Sequence, residues 1–414
     1  MSIDKNTFCA GPWFQINTGE LGYFRPCCNI NIKKSKFEGK KYFKWPEDTP
    51  ESFFNSNYIK YLRENLNKGN KISECSGCWK AEKSGAKSLR QKLNDDATKN
   101  KGHDIEHTWI NLYFKKKHNL ESSLVLSIDA YTSGVCNFGC IMCCAGSSSK
   151  IFTQWKKDRH HDVVKDLLSN FDDNYLENID FYNKSNSNRD LLEKLLNLNP
   201  KKAKFYGGEP LIDSKLISCL VNMPKQAKEK IDILFVTNGS RSLIEKTNQL
   251  HDFKDVFFTI SLDAIENQLE YIRKSSNWKD ISDNILEYKK KFPEKHVTVN
   301  CVVQALNIYY VDELIQWTEE NNLSLTFIEL NEPEYMAISA VPTEIKNEAI
   351  NKLNKLEKIS NNNNGNIAFL KELINDSTYN EDHTKKLKNY LSWSDTKGEW
   401  EEIFPEWKPF LKNI

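Results

Sequence analysis

The sequence predicts an α/β fold in three parts: a small cysteine-rich N-terminal module, a central series of six strand–helix units, and a helical C-terminal region. Three observations predict it. From residue 124 onward, β-branched and aromatic runs alternate with helix-length connectors. These runs are continuously apolar, which predicts parallel strands covered on both faces, arranged as an open sheet or an incomplete (β/α) barrel. Finally, nine of the eleven cysteines precede residue 145, so the front of the chain carries a chemistry that the rest lacks.

The elements follow in order. The first 118 residues are rich in Lys, Asn, Gly and aromatics with short apolar runs, which predicts a loop-rich module held together by something other than a large core. "LVLSIDAY" (124–131) is the first strand, and the loop "GVCNFGCIMCC" (134–144) follows it. "KAKFY" (202–206) is the second and ends in "GGEP"; "DILFVTNG" (232–239) is the third, followed by the helical "SLIEKTNQLHDF". "VFFTISLD" (256–263) precedes a helix near 277–291, "HVTVNCVV" (296–303) precedes "VDELIQWTEENN", and "LSLTFIEL" (323–330) is the sixth strand. The region 336–414 reads as helices ("TEIKNEAINKLNKLEKIS", "IAFLKELIND", "HTKKLKNYLSW") interrupted by a polar loop, "NNNNGN", at 361–366. In an open sheet or a barrel, active groups gather at the C-terminal strand ends. The cysteine loop, "GGEP", "TNGS" and "SLDA" all fall there.

Bulk properties narrow the function. With 414 residues, 39% hydrophobic, the chain can bury a substantial core. Its 58 basic and 57 acidic side chains give a net charge of +1, which supplies no electrostatic case for a nucleic-acid or membrane-surface partner. The opening "MSIDKNTFCAGPW" has no signal-peptide pattern, and no stretch has the eighteen apolar residues of a membrane span. The expectation is a soluble, cytoplasmic protein. Thiols stay reduced there, so clustered cysteines point to metal binding or catalysis rather than disulfides. Cys219 and Cys301 lie in apolar runs and are expected in the core, and His160–His161 on a solvated surface.

Cys136, Cys140 and Cys143 form a C-x3-C-x2-C loop. Structural zinc takes four ligands, usually as two separated pairs. Three thiolates from one loop suit a [4Fe–4S] cluster in which one iron lacks a protein ligand. Cys144 is then a spare thiol, since its adjacency to Cys143 makes it an awkward fourth ligand. Farther forward, Cys75 and Cys78 form a C-x2-C pair; with Cys9 and either Cys27 or Cys28 they make four ligands from three segments. Zinc and an iron–sulfur cluster are both open for that set.

The C-x3-C-x-Φ-C loop, with Met142 at Φ, and the "YGGEP" turn resemble the radical S-adenosylmethionine (SAM) superfamily over roughly residues 120–335. The resemblance implies a partial (β/α)6 barrel over 119–335, in which Cys136, Cys140 and Cys143 bind three irons. The fourth iron would take the amino and carboxylate groups of SAM. Reductive cleavage would then give a 5′-deoxyadenosyl radical that abstracts hydrogen from a substrate. Gly207, Gly208, Glu209 and Pro210 carry over to the SAM amino group; glycines permit close backbone approach, and a carboxylate accepts from an ammonium. Thr237, Asn238 and Gly239, and Ser261, Leu262, Asp263 and Ala264, stand where relatives place polar contacts to SAM. Arg273 is a candidate for its carboxylate.

The N-terminal pattern F-C-x2-P-W … G-x3-P-C-C … C-x2-C-W-x2-E-x2-G-x2-S-x-R resembles twitch-type radical SAM proteins, which carry an abbreviated SPASM-like module. It comprises Phe8, Cys9, Pro12, Trp13, Gly22, Pro26, Cys27, Cys28, Cys75, Cys78, Trp79, Glu82, Gly85, Ser88 and Arg90. The resemblance implies an auxiliary [4Fe–4S] cluster in residues 1–118, bound by Cys9, Cys27 (or Cys28), Cys75 and Cys78 and used for electron transfer. It also implies an external electron donor such as flavodoxin or ferredoxin, and a peptide, protein or small-molecule substrate. No catalytic side chain is assigned. The rival from another class is a non-catalytic zinc or iron–sulfur scaffold or electron carrier.

Overall fold

The computed structural model describes residues 6–83, 87–98, 125–184, 187–360 and 362–412. Leu124, Gly85, Asn361 and the expected 118/119 boundary lie outside the described residues. Eight strands form one sheet: β1 (Gln15–Thr18), β2 (Phe24–Arg25), β3 (Ser127–Tyr131), β4 (Lys202–Tyr206), β5 (Asp232–Thr237), β6 (Asp255–Ser261), β7 (Val297–Val303) and β8 (Ser324–Glu329). Their order is β2-β1-β3-β4-β5-β6-β7-β8, and every neighbouring pair is parallel except β1 with β2. Strands β3 to β8 are the six expected from sequence. The arrangement is an α/β fold consistent with a partial radical SAM-type barrel followed by helices.

The N-terminal segment departs from expectation. It contributes two strands to the same sheet, with Gln15, Ile16 and Asn17 in register with Ser127, Ile128 and Asp129. It also buries Phe24, Phe53, Tyr58, Ile59 and Leu62 almost completely, so it has the apolar core that its composition argued against. Helix Asn57–Asn67 explains how. Ser56 caps it by accepting from Ile59 N, and Tyr58, Ile59, Leu62 and Leu66 share its inner face. Such residues are dispersed among lysines and asparagines, so no apolar run announces them.

The strands' faces also differ. In β5 to β7 the side chains Ile233, Phe235, Phe258, Ile260, Val299 and Cys301 are buried, whereas the alternating Leu234, Val236, Phe257, Thr259 and Val302 are only half-buried. Helices therefore cover one face, and the other forms a half-open trough. On the covered face Phe205, Phe235, Phe258 and Tyr288 of helix Trp278–Lys291 follow one another at ring separations of 5.6, 6.0 and 5.4 Å. Each such buried ring contributes roughly 1.5–3 kcal/mol.

The C-terminal helices Thr343–Glu357, Asn364–Asp376 and Glu381–Ser394 match the expected ones, but the second begins inside the polar "NNNNGN" run. Glu319 of helix Val311–Glu320 accepts from Asn363 Nδ2 at 3.0 Å, and Asn366 Nδ2 donates to Leu325 O of β8 at 3.1 Å, so these asparagines anchor the helix start to a neighbouring helix and to the sheet. Among the described residues no helix is long and apolar enough to cross a membrane.

Candidate metal and cofactor site

The loop after β3 is gripped by backbone from both sides. Toward β4, Thr132 N donates to Tyr206 O at 2.8 Å, Gly208 N to Ser133 O at 2.7 Å and Glu209 N to Val135 O at 2.7 Å. On the far side, Gly139 N donates to Lys274 O at 2.9 Å and Ile141 N to Ile272 O at 3.0 Å. Tyr390 from the C-terminal region donates to Ile141 O at 3.1 Å. This close approach dictates the glycines of the GGEP turn. Gly207 has φ +151, a Cβ there would stand 2.6 Å from Ser133 O, and a Cβ on Gly208 would overlap the Val135 carbonyl.

The loop's thiols divide three and one. Cys140 is buried; Cys136 and Cys143 are half-buried. Phe138 N donates to Cys136 Sγ at 3.4 Å, and Arg273 Nη1 approaches Cys140 Sγ at 3.8 Å. A hydrogen bond from Cys143, together with the Arg273 charge, holds the Cys140 thiol below its ordinary range, whereas burial pushes Cys136 up to about 11. Arg273 Nε lies 2.8 Å from Asp263 Oδ2, but its N–H does not aim along that line, so the contact is an ion pair rather than a linear hydrogen bond. Asp263 is wholly buried and accepts from Val302 N at 2.9 Å through Oδ1. Cys144 turns elsewhere. Its Sγ donates to Glu20 Oε1 at 3.2 Å, and Glu20 also accepts from Ser147 Oγ at 2.9 Å and Tyr175 OH at 3.0 Å.

Glu209 is 1% exposed and already has three internal donors: Thr237 Oγ1 at 2.7 Å, Leu211 N at 2.9 Å and Asn238 N at 2.6 Å. Burial raises its pKa against these hydrogen bonds. The carboxylate thereby fixes the GGEP and TNG turns to each other. Asn238 Nδ2 then donates to Asn137 Oδ1 at 3.0 Å, tying the TNG turn to the loop between Cys136 and Cys140. Pro210 is buried, Met142 is half-buried against the core, and Ser261 is half-buried at the end of β6. The structure thus brings the expected residues to one end of the sheet. Sequence reasoning missed Glu20, Asn137 and Tyr175, single polar residues with no spacing signal.

The N-terminal thiols form a second group. Cys9 and Cys78 are buried, Cys27 and Cys75 half-buried, and Cys28 exposed. Cys9 interacts electrostatically with Cys78, Cys27 with Cys9 and Cys75, and Cys75 with Cys9 and Cys78. Burial pushes Cys9 up to about 12 and raises Cys27 and Cys75 as well. Cys28 lies within electrostatic reach of Lys204 and Asp129 on the central strands. Around the thiols, Arg90 donates from Nε and Nη2 to Glu82 at 2.9 and 2.8 Å and from Nη1 to Phe8 O at 2.6 Å, while Ser88 Oγ donates to Glu82 at 2.6 Å. The Glu, Ser and Arg of the sequence pattern are therefore the braces that join the Cys9 and Cys78 segments.

Both sets are thiol donors of the kind that iron–sulfur clusters and zinc share. Among the described residues, no three or more His, Cys, Asp or Glu are gathered closely enough to hold one metal ion. Zinc, at about 2.3 Å from each sulfur, would draw its thiolates to within about 4 Å of one another. Three thiols with a backbone N–H and a guanidinium beside them, and the fourth thiol diverted to Glu20, suit a four-iron cluster that keeps one iron open.

No curated protein matches the sequence. Among solved structures, TYW1 with a lysine–pyruvate adduct bound is 15% identical, covering 56% of this chain and 70% of that one, with a TM-score of 0.29. Streptococcus suis SuiB bound to S-adenosylmethionine is 15% identical over 82% of this chain and 66% of that one, with a TM-score of 0.34. SuiB bound to its precursor peptide SuiA is 15% identical over 95% and 77%, with a TM-score of 0.31. The family profile described as the Radical SAM superfamily matches residues 131–318, the segment that holds the three-cysteine loop and the GGEP turn.

Proposed function

We propose that this protein is a radical SAM enzyme carrying a second, auxiliary [4Fe–4S] cluster of twitch type. Its reaction is hydrogen-atom abstraction from a peptide, protein or small-molecule substrate. The observation that carries the proposal is the three-plus-one division of the loop thiols, with Cys144 held by Glu20. Cys136, Cys140 and Cys143 would hold the SAM-binding cluster, and SAM would take its remaining iron. When bound, a reduced cluster of this kind supplies the electron that cleaves SAM.

The chain's own residues bind and orient. Phe138 N and Arg273 stabilise charge on Cys136 and Cys140, and Asp263 orients Arg273. Glu209 locks the GGEP and TNG turns, whose backbone faces the SAM amino group, while Met142, Asn238 and Ser261 border the same space. Arg273 is the candidate for the SAM carboxylate. The trough supplies a partly water-excluded place for substrate.

Cys9, Cys27, Cys75 and Cys78 would complete the ligands of the auxiliary cluster, which suits electron transfer, and exposed Cys28 is left out of the set. Flavodoxin or ferredoxin in the cytoplasm would supply the electrons. Anaerobic purification tests the whole reading. A brown protein with about eight irons that forms 5′-deoxyadenosine on reduction is expected. A colourless, zinc-loaded protein inert towards SAM would sink it in favour of a metal-binding scaffold.

A further inference from the structure

The trough is not uniform. Asn17 pairs in register with Arg25 on β2 and Asp129 on β3, and Asp129 pairs with Lys204 on β4. Cross-strand partners point to the same side of a sheet. Arg25, Asn17, Asp129 and Lys204 therefore form one polar row across four strands. It lies on the face that carries half-buried Leu234, Val236 and Phe257 farther along. Two further contacts confirm the placement. Tyr206, two residues beyond Lys204, accepts from Asn17 Nδ2 at 2.9 Å, and its ring packs 6.0 Å from that of Tyr131.

The row has more positive charge than it neutralises. Lys204 Nζ stands 3.6 Å from Asp129 Oδ2, a long ion pair, and the lysine side chain is 35% exposed. Arg25 has no ion-pair partner among the described residues. Lys204 thus pairs with the row's one buried carboxylate, while Arg25, on the far side of Asn17 in the same row, keeps an unmatched charge, which is costly where water is partly excluded. Lys204 precedes Gly207 by three residues, about 10 Å along a strand. That separation puts the row within a substrate's length of the SAM-binding strand ends. Beside it, Leu234, Val236 and Phe257 offer apolar surface to the rest of a ligand.

We infer that this row anchors the substrate and that the substrate carries a carboxylate, held by Lys204 and Arg25, on a short apolar stem. The assignment rests on the radical SAM reading for its role, but not for its binding test. An acidic amino-acid side chain within a peptide has this chemistry. SAM's own methionyl carboxylate is the other source of such a group, and the experiment separates the two.

Full-length, cluster-loaded protein is probed by saturation-transfer NMR with N-acetylglutamate N-methylamide and its uncharged glutamine twin, each with and without SAM. The glutamate probe is expected to bind about tenfold more tightly than the twin, to weaken with added salt, and to keep its signal with SAM present. Lys204→Gln and, independently, Arg25→Gln should remove that preference, and Lys204→Arg should restore it; Arg25 lies on the edge strand, so its variant guards against a folding defect at β4. Equal binding of the two probes, no binding of either, indifference to both glutamine substitutions, or displacement of the glutamate probe by SAM overturns the assignment. SAM cleavage measured on the same wild-type sample tests the radical SAM reading separately: an inert enzyme that still prefers the glutamate probe fails that reading and leaves this one standing.

Discussion

The two cysteine centres are built on opposite plans. The loop after β3 draws three thiols from eight consecutive residues and is fixed by backbone hydrogen bonds with residues 206–209, 272 and 274 and by one from the Tyr390 hydroxyl. The N-terminal set draws four from three distant segments and relies on side-chain braces, chiefly Arg90 with Glu82. Cys140 is held below its usual range, whereas Cys9 is raised to about 12. Yet Cys136 and Cys143 in the loop are raised like the N-terminal thiols, so the two sites differ in how their thiols are held in place more than in their charge. A site of buried, protonated thiols gains its charge only when metal displaces the protons, and it ties metal binding to folding.

The largest effect should come from removing a loop thiol. Cys140→Ala is expected to abolish SAM cleavage and to lower the iron content from about eight to about four per chain, read by iron analysis and product chromatography. If both centres empty together, the contrast between them fails. Gly208→Ala should come next, because a Cβ there collides with the Val135 carbonyl. We expect a stability loss of about 1–3 kcal/mol, and a fall in SAM cleavage of about a hundredfold if the loop shifts by an ångström.

The N-terminal centre should respond to pH. Because burial raises Cys9, the metal-free folded protein retains a proton there that the unfolded chain releases above pH about 9. That contribution is fully present below pH 9 and is lost as the pH rises towards 12. Urea midpoints of metal-free wild type should fall across that window, and Cys9→Ala should flatten the fall. The smallest effects belong to the fourth loop thiol. Cys144→Ala should keep its iron and cleave SAM within about threefold of wild type. Glu20→Ala, which strands Cys144, Ser147 and Tyr175, should cost about 2 kcal/mol of stability. A dead Cys144→Ala enzyme with intact iron would refute the three-plus-one division.

Sequence pattern made six strands and the loop legible for physical reasons. Buried parallel strands need β-branched and aromatic runs, and the loop needs its thiols at fixed intervals. It missed β1 and β2, because "QINT" and "FR" are too short and polar to register and take their stability from the edge of β3. Continuous apolarity in β5 suggested cover on both faces, yet Leu234 and Val236 face the trough, where an apolar wall suits a ligand as well as a helix. The GGEP glycines were visible, but the collision that requires them involves the cysteine loop itself. Glu20, 124 residues from Cys144, could be found only by folding the chain.

The division between an open and a closed centre is tested most directly by electron paramagnetic resonance of the dithionite-reduced protein, with and without SAM, in wild type, Cys140→Ala and Cys78→Ala. The account predicts that Cys78→Ala, with about four irons, shows one cluster signal that shifts on adding SAM, and that Cys140→Ala, also with about four, shows a different signal that SAM leaves unchanged. A SAM-sensitive signal surviving in Cys140→Ala, or no iron retained there at all, would contradict it.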